Sequence, residues 1–108
     1  MRVLLDESLP RRLKAELTEY EVSTVPEARW AGTKNGELLR LAEPLFDVFV
    51  TMDRRLPSQQ NLSDLALCVI VLLAKSNAVL DLLPLADQLR SAFATARPRE
   101  LVWLEEAE

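Results

Sequence analysis

MRVLLDES at residues 1–8 and FDVFVTMD at residues 46–53 decide how this chain folds. Each runs a short apolar segment straight into carboxylates, Asp6 and Glu7 in the first and Asp53 in the second. Residues 48–51 read VFVT, a β-branched and aromatic run with the composition of a strand covered on both faces. In a parallel sheet the carboxyl ends of both strands reach one edge. That edge is where open α/β sheets bind ligands, at a topological switch point, and acids gathered there point to a cation.

The rest of the chain alternates strand and helix around these two segments. Arg2 to Leu5 forms the first strand, and Pro10 suits the first turn of a helix running to about Tyr20 with Leu9, Leu13 and Leu17 on one face. Val22 to Val25 reads as a second strand, and residues 26–32 as irregular chain. Asn35 caps a helix from Gly36 to Glu43, with Leu38, Leu39, Leu41 and Ala42 as its apolar residues. Residues 52–64 are polar, carry Pro57 and read as a loop with one helical turn. Leu67 to Leu73 is the strongest strand. Ser76 or Asn77 then caps a helix to about Ala96, on which Leu80, Leu83, Leu85 or Ala86, Leu89 and Phe93 face the core. Glu100 to Leu104 makes the fifth strand. Right-handed crossovers between such strands predict an α/β fold, a three-layer α/β/α domain over residues 1–108 with a mainly parallel five-stranded sheet. The order 2-1-3-4-5 sets the ends of strands 1 and 3 side by side, so that Asp6 faces Asp53. The link from strand 3 to strand 4 is the weak step, because a parallel return needs a real crossover.

Composition narrows the chemistry. At 108 residues, 49% hydrophobic and 28% charged, the chain is sized and composed as one globular domain. Its longest apolar run, Leu65 to Ala74, is roughly half of what a bilayer crossing needs, and charges interrupt the first dozen residues where a leader would be apolar, so a cytoplasmic protein without a membrane span is expected. There is no histidine, which removes Ser-His and Cys-His nucleophiles and the common histidine-bearing zinc sites. The one cysteine, Cys68, falls inside the strongest strand and reads as a small buried hydrophobe. A net charge of −4 argues against coating nucleic acid through the overall field, while leaving room for a local basic rim.

Three carboxylates about 5 Å apart would repel by roughly 3 kcal/mol per pair at an effective dielectric near 20. Mg²⁺ or Mn²⁺ offsets that cost, since these ions take hard oxygen ligands from a few carboxylates, waters and phosphates. Asp6, Glu7 and Asp53 are the candidate ligands, joined by Glu37 in the first turn of the second helix. Taken singly, each also reads as a solvated loop start, a helix cap or an acid favoured by the helix dipole. Asp47 lies at the opposite end of its strand and reads as a surface residue. Arg11, Arg12, Lys34, Arg54 and Arg55 surround the acids and, with Thr51, form the substrate-contacting set, suited to a phosphate backbone. Trp30 reads as packing under its loop, or as a surface for stacking a base.

Three signatures carry a family resemblance: LLDESLP at residues 4–10, WAGTKNGELLRLAE at 30–43 and FDVFVTMDRRLP at 46–57. Together they span nearly the whole chain and resemble the short PIN-like domains of bacteria and archaea, relatives of PIN ribonucleases and of type II toxin–antitoxin toxins. The resemblance implies an acidic pocket that binds Mg²⁺ or Mn²⁺ and cleaves RNA. It assigns Asp6 to the acid ending the first strand, Glu37 to the helical acid and Asp53 to the acid of the T-x-D turn. A toxin of this kind implies an antitoxin protein that blocks the acidic edge. The chain departs from the pattern at Arg55, where relatives often carry another acid, and at Ser8, where Asn is more usual.

Two other readings compete. One is a non-catalytic PIN-like interaction module, marked by Arg55. The other is a receiver-type phosphoacceptor domain, which also places an acidic pair after strand 1 and an aspartate after strand 3. The receiver needs a lysine after its fifth strand, where this chain has Glu105 and Glu106. Leu82, Leu85 and Trp103, if exposed, would support a homodimer.

Overall fold

The computed structural model describes residues 1–106; the last two residues of the expected 1–108 domain lie outside the described residues. Five strands, β1 (Arg2–Leu5), β2 (Glu21–Thr24), β3 (Val48–Thr51), β4 (Cys68–Leu73) and β5 (Leu101–Glu105), form one sheet in the order β2-β1-β3-β4-β5. Every neighbouring pair is parallel, so the sheet is wholly parallel rather than mainly so.

Alternation along the strands divides the core into two layers. Val3, Leu5, Val48, Val50, Cys68, Ile70 and Leu72 point to one face. There they meet Leu13 and Leu17 of a 3₁₀ helix over Arg11–Leu17, Leu82 of α3 (Val79–Leu82), and Leu89 and Phe93 of α4 (Ala86–Thr95). Leu4, Phe49, Val69 and Val71 point to the other face, against Leu38, Leu39 and Ala42 of α1 (Asn35–Ala42) and Leu56 of α2 (Leu56–Gln59). Each of these large apolar side chains is fully buried and contributes about 1.5–3 kcal/mol relative to exposure. The result is the expected three-layer α/β/α arrangement. No helix among the described residues is long and apolar enough to cross a membrane.

Four local expectations are corrected. The helix expected from Pro10 to Tyr20 is instead the 3₁₀ segment Arg11–Leu17. Its preceding residue is Pro10, which offers no side-chain cap, and its first turn holds Arg11 and Arg12 with no acid, the wrong charge for a helix amino end. The long helix expected up to Ala96 breaks at Pro84 into α3, a 3₁₀ turn at Leu83–Leu85 and α4, because proline has no N–H for the helical ladder. The break shifts the buried face: Leu80, expected in the core, is 77% exposed. Leu82 and Leu85, expected as dimer contacts, are fully buried and are withdrawn from that role. Residues 52–64, expected as loop with one turn, supply the crossover between β3 and β4 through α2 and a 3₁₀ turn at Leu62–Asp64.

The turn after β2 is held by a reciprocal cap. Thr24 N–H donates to Glu27 Oε1 at 2.9 Å, Glu27 N–H donates to Thr24 Oγ1 at 3.2 Å, and Lys14 Nζ reaches Glu27 Oε2 at 2.9 Å. This is the T-x-x-E capping pattern, closing a turn instead of opening a helix. Trp30 packs edge-on against Phe46 with ring centroids 6.1 Å apart, the packing role expected of it.

Candidate active site

β1 and β3 are adjacent, with Leu5 in register with Val50, and Asp6 N–H donates to the Val50 carbonyl at 2.9 Å. That last ladder bond places Asp6 beside Thr51, the final residue of β3. Asp6 is 8% exposed and Thr51 1%. Thr51 Oγ1 donates to Asp6 Oδ2 at 2.8 Å and accepts from Asp53 N–H at 3.0 Å. One hydroxyl therefore ties the two strand-end acids together.

A carboxylate this buried requires donors, and Asp6 has three. Besides Thr51, Ser8 Oγ donates to Oδ2 at 2.9 Å and Glu7 N–H donates to Oδ1 at 2.9 Å. Oδ2 is thereby filled and Oδ1 keeps one lone pair. Asp53 accepts Arg55 N–H on Oδ1 at 2.9 Å and Asn35 Nδ2 on Oδ2 at 3.2 Å, leaving one lone pair on each oxygen. The Arg55 guanidinium lies 3.9 Å from Oδ1 and is largely exposed, so it adds little to this geometry. Asn77 Nδ2 donates to the Ser8 carbonyl at 3.2 Å, which ties the chain after β4 to the same edge.

The remaining candidates are placed differently. Glu7 turns to the neighbouring loop, where its Oε1 accepts Gly32 N–H at 3.2 Å. Gly32 has φ +81°, a conformation that glycine adopts without the strain of a Cβ. Glu37 is exposed in the first turn of α1. Lys34 is exposed at the amino end of that helix. Arg11 and Arg12 are exposed and line a groove with Tyr20 and Glu21, residues at the start of β2 and so toward the opposite edge of the sheet. Arg54 is exposed and lines a second groove with Leu73, Lys75, Asp81 and Glu105. Asp47 stays at the amino end of β3, exposed, accepting Arg2 N–H at 2.8 Å.

Two polar residues prove central that were read otherwise. Asn35 is the first residue of α1 and not its cap, and its amide reaches Asp53. Ser8 contributes a second hydroxyl to Asp6. The signal for Ser8 was a short polar side chain two residues from a strand-end acid; Asn35, 18 residues from Asp53, carried no local signal.

Among the described residues, no group of three or more His, Cys, Asp or Glu side chains is placed to hold a metal ion. The edge offers a pair of acids instead. Its oxygens with a lone pair to spare are Asp6 Oδ1 and both oxygens of Asp53. Hard carboxylate oxygens are the ligand type that Mg²⁺ and Mn²⁺ take, with water and phosphate completing the shell. Cys68 is no part of this chemistry; burial pushes its thiol up to about 11, with the Glu100 carboxylate adding to the shift. No family model matches the chain, and no curated protein or solved structure matches it significantly.

Proposed function

We propose that this chain is a PIN-like, Mg²⁺- or Mn²⁺-dependent ribonuclease that hydrolyses RNA phosphodiester bonds at the carboxyl edge of its sheet. The observation that carries the reading is the pairing of Asp6 and Asp53 at the ends of adjacent central strands, both fixed by Thr51 Oγ1. A bound ion supplies Lewis-acid activation of water and neutralises charge at the scissile phosphate. Asp6 and Asp53 would hold the ion, with Asn35 orienting Asp53 and Ser8 orienting Asp6. Glu37 and Glu7 stand outside this pair, Glu37 exposed on α1 and Glu7 held by the Gly32 N–H. Lys34, Arg54 and Arg55 contact phosphates of the RNA, whereas Arg11 and Arg12 lie on the separate groove with Tyr20 and Glu21 and take no part in that contact. As the toxin of a toxin–antitoxin pair, the protein would be silenced by a partner that covers this edge with a basic side chain.

The test is cleavage of a mixed RNA in Mn²⁺ by wild type, by Asp53→Asn and by wild type with EDTA. Cleavage confined to wild type without chelator is expected. A stability gain of about 2.7 kcal/mol is expected at a hundredfold excess of Mn²⁺ over its dissociation constant.

A specific observation favours a second reading, an interaction module without catalysis. The guanidinium of Arg55 approaches Asp53, at a position where the resemblance expects an acid, and among the described residues no third acid joins the pair. That reading predicts no cleavage and melting that is indifferent to divalent ions.

A further inference from the structure

We infer that the groove at the carboxyl ends of β3, β4 and β5 is a base subsite that selects guanine in single-stranded RNA, with the nucleotide's phosphate held on the side of Asp53. The inference rests on the nuclease reading and names the substrate preference that reading leaves open. The groove measures about 780 Å³, within the range of small-molecule sites. Arg54, Lys75, Leu80, Asp81, Pro84 and Glu105 line it.

Strand order sets the charges in a row along the carboxyl edge. The acid pair stands at the ends of β1 and β3, Arg54 follows β3, Lys75 follows β4, and Glu105 ends β5. Neighbouring strands lie about 4.8 Å apart, so β5 runs about 10 Å from β3, the reach of a nucleotide from its phosphate to the hydrogen-bonding edge of its base. Arg54 and Lys75 are exposed and, among the described residues, form no ion pair, which suits them to the phosphate. Glu105 beyond them repels a phosphate and accepts from N–H donors, since an ionised carboxylate has no hydrogen to give. A nucleotide therefore fits one way round, backbone toward Asp53 and base toward β5.

Leu80 supplies the platform. It is apolar yet 77% exposed, and with Pro84 it offers the face of a base an uncovered apolar surface. A base must be unstacked to lie there, so the strand is single. The carboxylate then chooses among bases. Asp81 already accepts Ser76 Oγ on Oδ2 at 2.6 Å, whereas the Glu105 carboxylate has no hydrogen-bond partner among the described residues; only its backbone carbonyl is taken, by Gln88 Nε2. Both Glu105 oxygens are free to accept. Guanine presents two adjacent donors, N1–H and the N2 amino group, which meet two carboxylate oxygens together. Adenine and cytosine offer one amino group beside an acceptor, and uracil one N–H between two carbonyls that a carboxylate repels.

The test separates binding from cleavage. In amide NMR spectra of the full chain without divalent ions, guanosine monophosphate should bind about tenfold tighter than uridine monophosphate and shift the signals of Lys75, Leu80 and Glu105. Glu105→Gln should remove that preference, and Leu80→Ala should weaken both nucleotides while keeping their ratio; the same spectra check that each variant is folded. In Mn²⁺, uridine-rich single-stranded oligonucleotides carrying one guanosine should be cut beside it by wild type and without that preference by Glu105→Gln. Guanylate binding at these residues with no cleavage of any RNA supports the subsite and overturns the nuclease reading. Equal binding of the two nucleotides, a preference that survives Glu105→Gln, or cleavage indifferent to guanosine overturns the subsite, and in the last case the nuclease reading stands without it.

Discussion

Replacing Thr51 with valine tests the link between the two strand-end acids. Valine has nearly the same shape, so the change removes two hydrogen bonds from a site that is 1% exposed and leaves the packing in place. The 2.8 Å bond to the Asp6 carboxylate is charge-assisted, worth about 1.5–3 kcal/mol, and the 3.0 Å bond from Asp53 N–H is worth about 1 kcal/mol. Ser8 still donates to Asp6 Oδ2, so the carboxylate is not orphaned and the lower end of that range applies. The buried methyl that replaces the hydroxyl returns about 0.8 kcal/mol. The net loss is about 2 kcal/mol, a fall in Tm of about 8 °C for a chain of this length. Thr51→Ser keeps both bonds and loses one buried methyl, about 1 kcal/mol or about 4 °C. Thermal unfolding of the three proteins by circular dichroism ranks them wild type, Thr51→Ser, Thr51→Val. If Thr51→Val melts at or above Thr51→Ser, the hydroxyl is not what joins the two strand ends.

Acid titration tests the cap after β2. Lys14 and the Thr24 N–H hold Glu27 down at about 2, from an ordinary value of 4.5, so its stabilisation is complete above about pH 4.5 and is lost as pH falls through 2. Both partners of the ion pair are partly exposed, so solvent screening limits the effect to about 1 kcal/mol. The difference in urea stability between wild type and Glu27→Gln should shrink across that window, and a difference that stays constant from pH 5 to 2 would contradict the cap. Cys68 should resist alkylation in the native protein at pH 8 and react at once in urea, followed by mass shift; rapid native labelling would mean that β4 opens locally. In the nuclease assay Asp53→Asn should abolish Mn²⁺-dependent cleavage with little change in Tm, since the amide oxygen still accepts Arg55 N–H at the surface. A Tm loss of several degrees in that variant would assign Asp53 a structural role.

The sheet was legible because its central strands are fully buried. Residues 48–51 and 68–73 carry no polar side chain before Thr51, and such runs have no other economical use in a chain this short. Strand order followed from placing Asp6 and Asp53 at one edge, and the pairing of β1 with β3 agrees with it. Helices were harder. Leu9, Leu13 and Leu17 are all buried as their spacing demands, yet that spacing does not distinguish an α-helix from a 3₁₀ segment whose amino end is basic. In the region after β4, leucines at 80, 82, 83 and 85 permit more than one face, and only the backbone break at Pro84 selects Leu82 and Leu85 over Leu80. At the site, the strand order brought Asp6 beside Asp53, but whether Glu7 and Glu37 join them could not be read from the sequence. Side-chain length and loop direction send Glu7 to Gly32 and leave Glu37 exposed, and neither is encoded in local spacing.

The bond between Thr51 and Asp6 spans 45 residues of chain. Closing a loop of that length costs about 3 kcal/mol in chain entropy before any contact offsets it. During synthesis, Asp6 leaves the ribosome early and stays an ordinary hydrated aspartate until β3 has been made and has docked on β1. The acid pair is thus a product of long-range strand pairing and not of any local segment. A nascent chain that stops short of β3 carries the first acid without the hydroxyl that aims it, so whatever chemistry the pair performs is withheld until β3 has been made and has docked on β1.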